Sequence, residues 1–476
     1  MKNAISPTRQ EDFSQWYQQV IKHADMAENA PVRGCMIIKP YGYAIWENIQ
    51  RIFDAKIKSL GVQNAYFPLL IPLEFLTKEA EHIDGFAKEC AVVTHTKLIK
   101  NENGDLVPSG ELHQPYIIRP TSEAVIGNVV AKWITSYRDL PLKINQWCNV
   151  MRWEMRPRIF LRTSEFLWQE GHTIFETEEQ AHNDAKKMHN AYHDFITNHL
   201  CLHAIVGEKT PEERFPGAKN TYTLEIMTQD GKALQGGTSH YLGQSFSSAF
   251  NIKFAARDGA ELLAYTASWG ISTRLIGALI MCHGDDNGLV LPPAIAPHQV
   301  VIIPIVHKEE NRQAILDYVE QLKTLLDTGK IERTTIDYSE DTTPNKIWKW
   351  VKRGAPIRIE IGMREVENSN ITFVCRHDTS STKNQVKITQ AADILHSKLQ
   401  DIAATLLAKS KEYTEKNTKD VNSIDELDDL LKNNFAGFIK MPLTATKSSA
   451  FTAIAEKYGV SRRCIVGDNV IIAKSY

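Results

Sequence analysis

Two neighbouring stretches of alternating side chains constrain this chain more than any other feature. In LKINQWCNVMRWE, residues 142–154, period-two alternation puts Cys148, Val150, Arg152 and Glu154 on one face of a strand. In FLRTSEFLWQEGHTIF, residues 160–175, Phe166, Trp168, Glu170 and His172 share a strand face, and Arg162 sits on the turn before it. Joined by the short charged loop MRPRI, the two read as an antiparallel hairpin that pools Arg152, Glu154, Arg162, Phe166, Trp168 and His172 on one surface. Such a surface is either the floor of a site or a half-exposed sheet face with solvent ion pairs, and pattern alone leaves both open.

The surroundings of the hairpin set its fold class. Apolar residues recur at helical spacing in Phe13, Trp16, Tyr17, Val20 and Ile21, and again in Ile45, Ile49, Ile52, Phe53 and Ile57. Strand-like stretches follow at 62–71, 115–119, 142–154, 166–174, 221–227 and 233–241, without strict βαβ alternation. Residues 1–290 therefore read as an α+β domain with a largely antiparallel sheet. A proline-marked joint, LPPAIAP at 291–297, precedes a strand, helix, strand, helix and strand order that predicts a small α/β domain over 298–405 with a partly parallel sheet. Residues 406–476 begin with a Lys-, Glu- and Asp-rich helical link and end in a compact α+β module.

Charge and cysteine content narrow the function classes. Lys plus Arg total 55 against 57 Asp plus Glu, a net charge of -2, so any nucleic-acid site must be a local patch. Seven cysteines without a CxxC or a close pair argue against a disulfide framework and a cysteine-based zinc site. Apolar runs such as 300–306 are far shorter than the roughly 20 residues that span a bilayer. The N-terminus is interrupted by charges from its second residue, and a cytoplasmic protein without a membrane segment is expected.

Neither a GxxxxGK[ST] loop nor a strand-linked GxGxxG occurs, so bound phosphates must be held by side-chain cations. Three further segments then matter: RPTSE at 119–123, QGGTSH at 235–240 and WGISTRLIG at 269–277. Together with the hairpin they resemble the catalytic domain of prolyl-tRNA synthetases, class II aminoacyl-tRNA synthetases, in the form found in archaea, eukaryotes and some bacteria. RGCMIIKPYGYAIWENIQ leading to YFPLLIP, with Pro68, resembles the first class motif; RWE…FLRTSEFLWQEGH the second; GISTR and the following helix the third.

The resemblance implies ATP-dependent attachment of L-proline to tRNA(Pro) through a prolyl-adenylate, with no covalent enzyme intermediate. It places Arg152 between the proline carboxylate and the α-phosphate, Arg162 and Arg274 at the bent triphosphate tail, and Phe166 and the Arg274 plane on either side of adenine. Gln235, Thr238 and Ser272 are implied as polar neighbours of the nucleotide. Phe67, Trp168, His172 and His240 would bound the proline slot, with Glu154 close by, and Thr121 and Glu123 would accept from the imino group. Thr121 and Glu123 fit an ordinary helix N-terminus equally well. Magnesium is expected with ATP, with Glu225 as one candidate ligand, and an isologous homodimer is implied by the first motif.

In the second domain Lys346, Lys349, Lys352, Arg353, Arg358 and Arg364 alternate with Ile347, Trp348 and Trp350, suiting phosphate contact and base stacking. The segment KRGAPIRIEIGMRE resembles an anticodon-binding domain, and Lys346, Trp350, Lys352, Arg353, Arg358 and Arg364 are its candidate tRNA contacts. Two departures from the family pattern stand out. Ser164 occupies a position usually held by Arg, and the terminal module retains only Cys464 of the family's zinc cysteines, so no structural zinc is expected. His189 and His193, one helical turn apart, read as an exposed helix face rather than a metal pair. Sibling threonyl or histidyl enzymes and an inactive tRNA-binding relative are the rival readings. The intact Arg152, Arg162 and Arg274 argue against the last.

Overall fold

The computed structural model of the chain describes residues 4–80 and 89–476. Its centre is an eleven-stranded sheet whose core runs Ala204–Glu208, Asn220–Met227, Ala233–Gly243, Tyr265–Ser272, Glu165–Phe175 and Leu142–Met151 in spatial order, all antiparallel. The hairpin read from the alternation is there, with Cys148 opposite Trp168, Val150 opposite Phe166 and Gln146 opposite Glu170. It ends earlier than expected: the chain leaves the sheet after Met151, so Arg152 and Glu154 stand on a loop that returns at Glu165.

Helix Glu178–Asn198 packs on one face of this sheet through Ala181, Ala185, Met188, Tyr192 and Phe195, and starts in a capping box between Thr177 and Gln180. His189 lies on its buried face, 5.7 Å from the ring of Tyr222, and burial pushes its pKa down to about 4. That corrects the expectation of an exposed histidine: an i, i+4 pair on a helix need not share solvent, and here His189 packs inward. The N-terminal helices Phe13–His23 and Pro40–Ser59 bury the predicted faces, including Trp16, Tyr17, Val20, Ile21, Ile45, Ile49, Phe53 and Ile57. These side chains join Trp269 and Leu275 in the main core.

The hairpin arm Ala91–Lys100 and Leu106–Ile118 extends from Leu70–Pro72 as a separate three-stranded sheet with mostly exposed side chains. Residues 300–387 form a five-stranded sheet, order Thr334–Ile336, Val300–Pro304, Ile357–Ile361, Asn370–Cys375 and Asn384–Lys387. Its first three strands are parallel and its last two antiparallel, the partly parallel pattern read from the sequence.

Helix Ala391–Lys416 runs without a break across the boundary drawn at residues 405 and 406. The terminal segment is not set apart from the first domain either. Its strands Thr418–Asp420, Phe438–Pro442, Asn469–Ala473 and Ser461–Val466 continue the central sheet, Ile465 pairing with Glu208. Cys464 is fully buried at this seam, where burial and the charge of Glu225 push its thiol up to about 12.

Candidate active site

Eleven of the residues singled out by sequence converge on one cavity of about 260 Å³ above the central strands. Thr121, Glu123, Arg152, Phe166, Trp168, His172, Gln235, Thr238, His240, Ser272 and Arg274 all line it. A second recess of about 260 Å³ shares Arg152, Phe166, Ser272 and Arg274 with it and adds Arg162 and Glu154. All three arginines border this second recess, and Arg152 and Arg274 line both.

Two of these cations are held in the same way. The Arg152 Nε donates to the Pro120 carbonyl at 2.8 Å, and the Arg274 Nε donates to the Leu161 carbonyl at 3.2 Å. Among the described residues nothing hydrogen-bonds their terminal nitrogens, so each fork is aimed by its inner edge and open at its outer one. The Arg152 guanidinium also lies 5.8 Å from the Phe166 ring centre and 5.6 Å from that of Trp168. Burial, then repulsion from Arg162 and Arg152, lowers Arg274 to about 10. Arg152 and Arg274, with no carboxylate in ion-pair contact among the described residues, are a ready receptor for a polyphosphate.

Arg162 is ion-paired to Glu154 at 3.1 Å, and Glu154 also accepts from the backbone of Arg156. Glu154 therefore borders the recess with Arg162 and stands away from the other residues assigned to proline. Ser164 is buried and stitches this loop to the sheet. Its carbonyl accepts from the Arg152 N–H at 2.7 Å, its Oγ from the Glu154 N–H at 3.3 Å, and its own N–H donates to Gly34. A Cβ on Gly34, whose φ is +85°, would sit 2.3 Å from that Oγ, so neither position has room for a longer side chain without movement.

At the other end of the cavity the helix Glu123–Trp133 begins. Ser122 occupies its N-cap without capping, because its hydroxyl donates to Glu170 instead. Thr121 donates to Glu123. Glu170, 3% exposed, also accepts from Gln146 at 2.6 Å and pairs with the His172 Nε2 at 3.1 Å. Burial opposes both charges, yet these contacts hold the Glu170 carboxyl below its ordinary value and raise His172 above its own.

His240 differs: burial, and then the charge on His172, lowers it to about 3, so it faces the cavity as a neutral ring. Its Nδ1 meets the Thr221 hydroxyl at 3.0 Å, and Phe215 packs on it with ring centres 4.6 Å apart. Gly171 is required here, since a Cβ would come within 2.1 Å of the Trp269 ring beneath the floor.

Three assignments fall elsewhere. Phe67 does not line the cavity: it is 3% exposed in the core beneath helix Glu123–Trp133, with Trp133 5.9 Å away. Both oxygens of Glu225, expected as a magnesium ligand, are engaged by protein cations: Lys209 at 2.8 Å on one and Arg463 at 3.1 Å on the other. Much of the basic cluster in the second domain is also internal. Lys346 and the Trp350 indole both bond Asp337, Arg358 pairs with Glu360 at 3.2 Å, and Arg353 reaches Asp25 and the Tyr41 ring. The reason is helical: positions 346 and 350 lie one turn apart on the inward face of Thr343–Lys352. Arg364 is exposed and Lys352 half-buried.

The sequence reading missed the segment 209–215, from which Lys209, Glu213, Arg214 and Phe215 line the cavity. KTPEERFPG reads as a polar loop, and no spacing in it signals a site.

Comparison with known proteins bears on this geometry. Residues 108–283 match the family described as tRNA synthetase class II core domain (G, H, P, S and T), and residues 299–398 match the anticodon binding domain. A proline--tRNA ligase of Akkermansia muciniphila is 50% identical over 478 residues, covering 98% of this chain and 94% of that protein. The chain belongs to the proline--tRNA ligase family. Further members from Bdellovibrio bacteriovorus, 50% identical over 92% of the chain, and Protochlamydia amoebophila, 55% identical over 83%, agree. The family membership makes the chain an aminoacyl-tRNA synthetase of class II, with the antiparallel catalytic sheet and anticodon-binding domain read from its sequence. Among the described residues no helix is long and apolar enough to cross a membrane.

Proposed function

We propose that the cavity bordered by Arg152, Arg274 and His172 is where this proline--tRNA ligase joins L-proline to ATP and then passes the prolyl group to tRNA(Pro). In the first step a proline carboxylate oxygen attacks the α-phosphorus and pyrophosphate leaves. In the second the terminal adenosine hydroxyl of the tRNA takes the prolyl group and AMP leaves. The observation that carries this reading is the pair of guanidinium groups fixed at their Nε and open at their outer nitrogens. Such forks orient two anions and stabilise charge growing at phosphorus without reorganising. Arg152 bridges carboxylate and α-phosphate, while Arg274 and Arg162, once released from Glu154, hold the tail. Magnesium arrives with the triphosphate as part of the substrate.

The slot for the imino acid is the end bounded by Trp168, His172 and His240, with Thr121 and Glu123 as acceptors. A neutral His240 leaves that wall free of a charge that would repel the substrate ammonium. The test is exchange of labelled pyrophosphate into ATP, which proline supports and threonine and histidine do not. Exchange driven equally by threonine would assign the site to a sibling specificity.

The chain carries no large insertion between residues 172 and 235, only the helix Glu178–Asn198, the sheet strands Ala204–Glu208 and Asn220–Met227, and the cavity-lining segment. Because a slot built for a larger side chain admits a smaller one, and each missing methylene changes discrimination by only ~1–3 kcal/mol, alanine at high concentration is expected to support measurable exchange. Ala-tRNA should persist in the presence of the purified protein. Undetectable alanine-dependent exchange, or hydrolysis of Ala-tRNA by the protein alone, contradicts this.

A homodimer is part of the same proposal. Val92, Leu98, Ile99 and Leu106 stand exposed on the hairpin arm that adjoins the first class motif. Light scattering should give about twice the 53.9 kDa chain mass, and a stable, active monomer would refute it.

A further inference from the structure

The terminal strand Ser461–Val466 touches the cavity-lining segment at three successive points. Ile465 pairs with Glu208, the Arg463 carbonyl accepts from the Lys209 Nζ at 2.8 Å, and Arg462 lies 3.6 Å from Glu212. The fit is close: a Cβ at Gly207 would meet Cys464 at 2.6 Å. Behind the cavity wall, Lys209 and Arg463 share the carboxylate of Glu225, which is fully buried and also accepts from Thr223 at 2.9 Å. A buried carboxylate held by two cations loses much when either is removed, because the remaining charges are left uncompensated.

We infer that Arg463, carried by the terminal strand, is a positioning residue for proline binding, acting through Glu225 and Lys209 to hold the segment 209–215 against the slot. The chain of contacts is continuous. Arg463 fixes Glu225, Glu225 fixes Lys209, and Lys209 begins the segment whose Phe215 packs on His240. The terminal segment is thereby a working part of the substrate site, although it contributes no atom to the cavity lining. Burial opposes the charge on Glu225, yet Lys209 and Arg463 hold its carboxyl below the ordinary value, in keeping with this role.

This inference rests on the assignment of the cavity to proline and is tested with the full-length protein in proline-dependent pyrophosphate exchange. Arg463→Ala is expected to raise KM for proline at least fivefold with kcat within about twofold, and Arg463→Lys to recover most of the loss, since an ammonium still reaches Glu225. Trypsin should cut after Arg214 and Lys219 faster in Arg463→Ala than in the parent.

Lys457→Ala serves as a control, because Lys457 pairs with Asp428 on the outside of the same terminal segment and touches nothing at the cavity. It should match the parent in both assays. If Arg463→Ala does not fold, Arg462→Ala, which removes the Glu212 contact and a cation-π contact with Phe451 but leaves Glu225 paired, should still raise the proline KM about twofold. The inference is overturned by a parental proline KM in these variants, by a fall in kcat and thermal stability with KM unchanged, or by an Arg463→Lys no better than alanine. A parent protein without proline-dependent exchange instead removes the functional reading, and this inference with it.

Discussion

Arg152→Lys is expected to lower proline-dependent pyrophosphate exchange by about 10²–10³-fold, the usual cost of losing one preorganised donor at a developing anion. The substitution keeps the charge, so a site that needed only a cation would survive it. The geometry asks for more. The Arg152 Nε is held by the Pro120 carbonyl, which turns the planar fork so that its two outer nitrogens face the cavity together. An ammonium cannot bond that carbonyl and both anions in one plane. Because the side chain is solvent-open, folding stability should stay within about 0.5 kcal/mol of the parent. Retained activity in the lysine variant would mean that Arg152 acts through charge alone.

Glu170→Ala is expected to cost about 3–5 kcal/mol of stability, because it leaves His172 buried without its counter-charge. Glu170 is 3% and His172 6% exposed, and Ser122 and Gln146 lose their acceptor as well. Loss of the fixed imidazole should also raise KM for proline by up to about 10²-fold, the scale of a misplaced site group.

The pH dependence follows from the two shifts. Glu170 is lowered, so its stabilisation is present above the ordinary glutamate value and fades as pH falls through its depressed one. His172 is raised, so its stabilisation is complete below the ordinary histidine value and fades as pH rises through the elevated one. The parent should lose stability towards both limits, and Glu170→Ala should flatten the curve in both. Thermal melts across pH measure this. An alanine variant with the parent's curve would show that the pair carries no net charge interaction.

The hairpin was legible because alternation over two strands fixes which side chains share a face, although its first strand ends at Met151, short of the expected residue 154. The third-motif arginine was found only through resemblance, since an isolated arginine at a helix start has no local signature. Phe67 escaped because a phenylalanine in an apolar run fits a slot wall and a core equally well, and contacts across the chain, here with Trp133, decide. Lys346, Trp350 and Arg358 escaped for the same reason. Basic and aromatic residues on an amphipathic helix suggest a surface, but a buried Asp337 draws Lys346 and Trp350 inward, where hydrogen bonds from Ser339 and Trp350 outweigh burial and keep its pKa at about 2.

How the terminal segment attaches to the rest was not legible in its composition. Its charged helical link leads to a module read as separate, yet the strands beyond it continue the central sheet through the pairing of Ile465 with Glu208, far apart in sequence, which no local pattern encodes. Glu225 illustrates both difficulties: a carboxylate on a strand near a nucleotide site invites a metal, while one of its partners, Arg463, comes from 238 residues further along the chain.

The most direct test of the whole account is a crystal structure of the protein with a non-reactive prolyl-adenylate analogue. The account predicts the phosphate-like group within about 2.7–2.9 Å of the outer nitrogens of Arg152, the adenine between Phe166 and Arg274, and the pyrrolidine ring among Trp168, His172 and His240. An analogue seated with its phosphate-like group remote from Arg152 and Arg274, or its ring outside that slot, would contradict it.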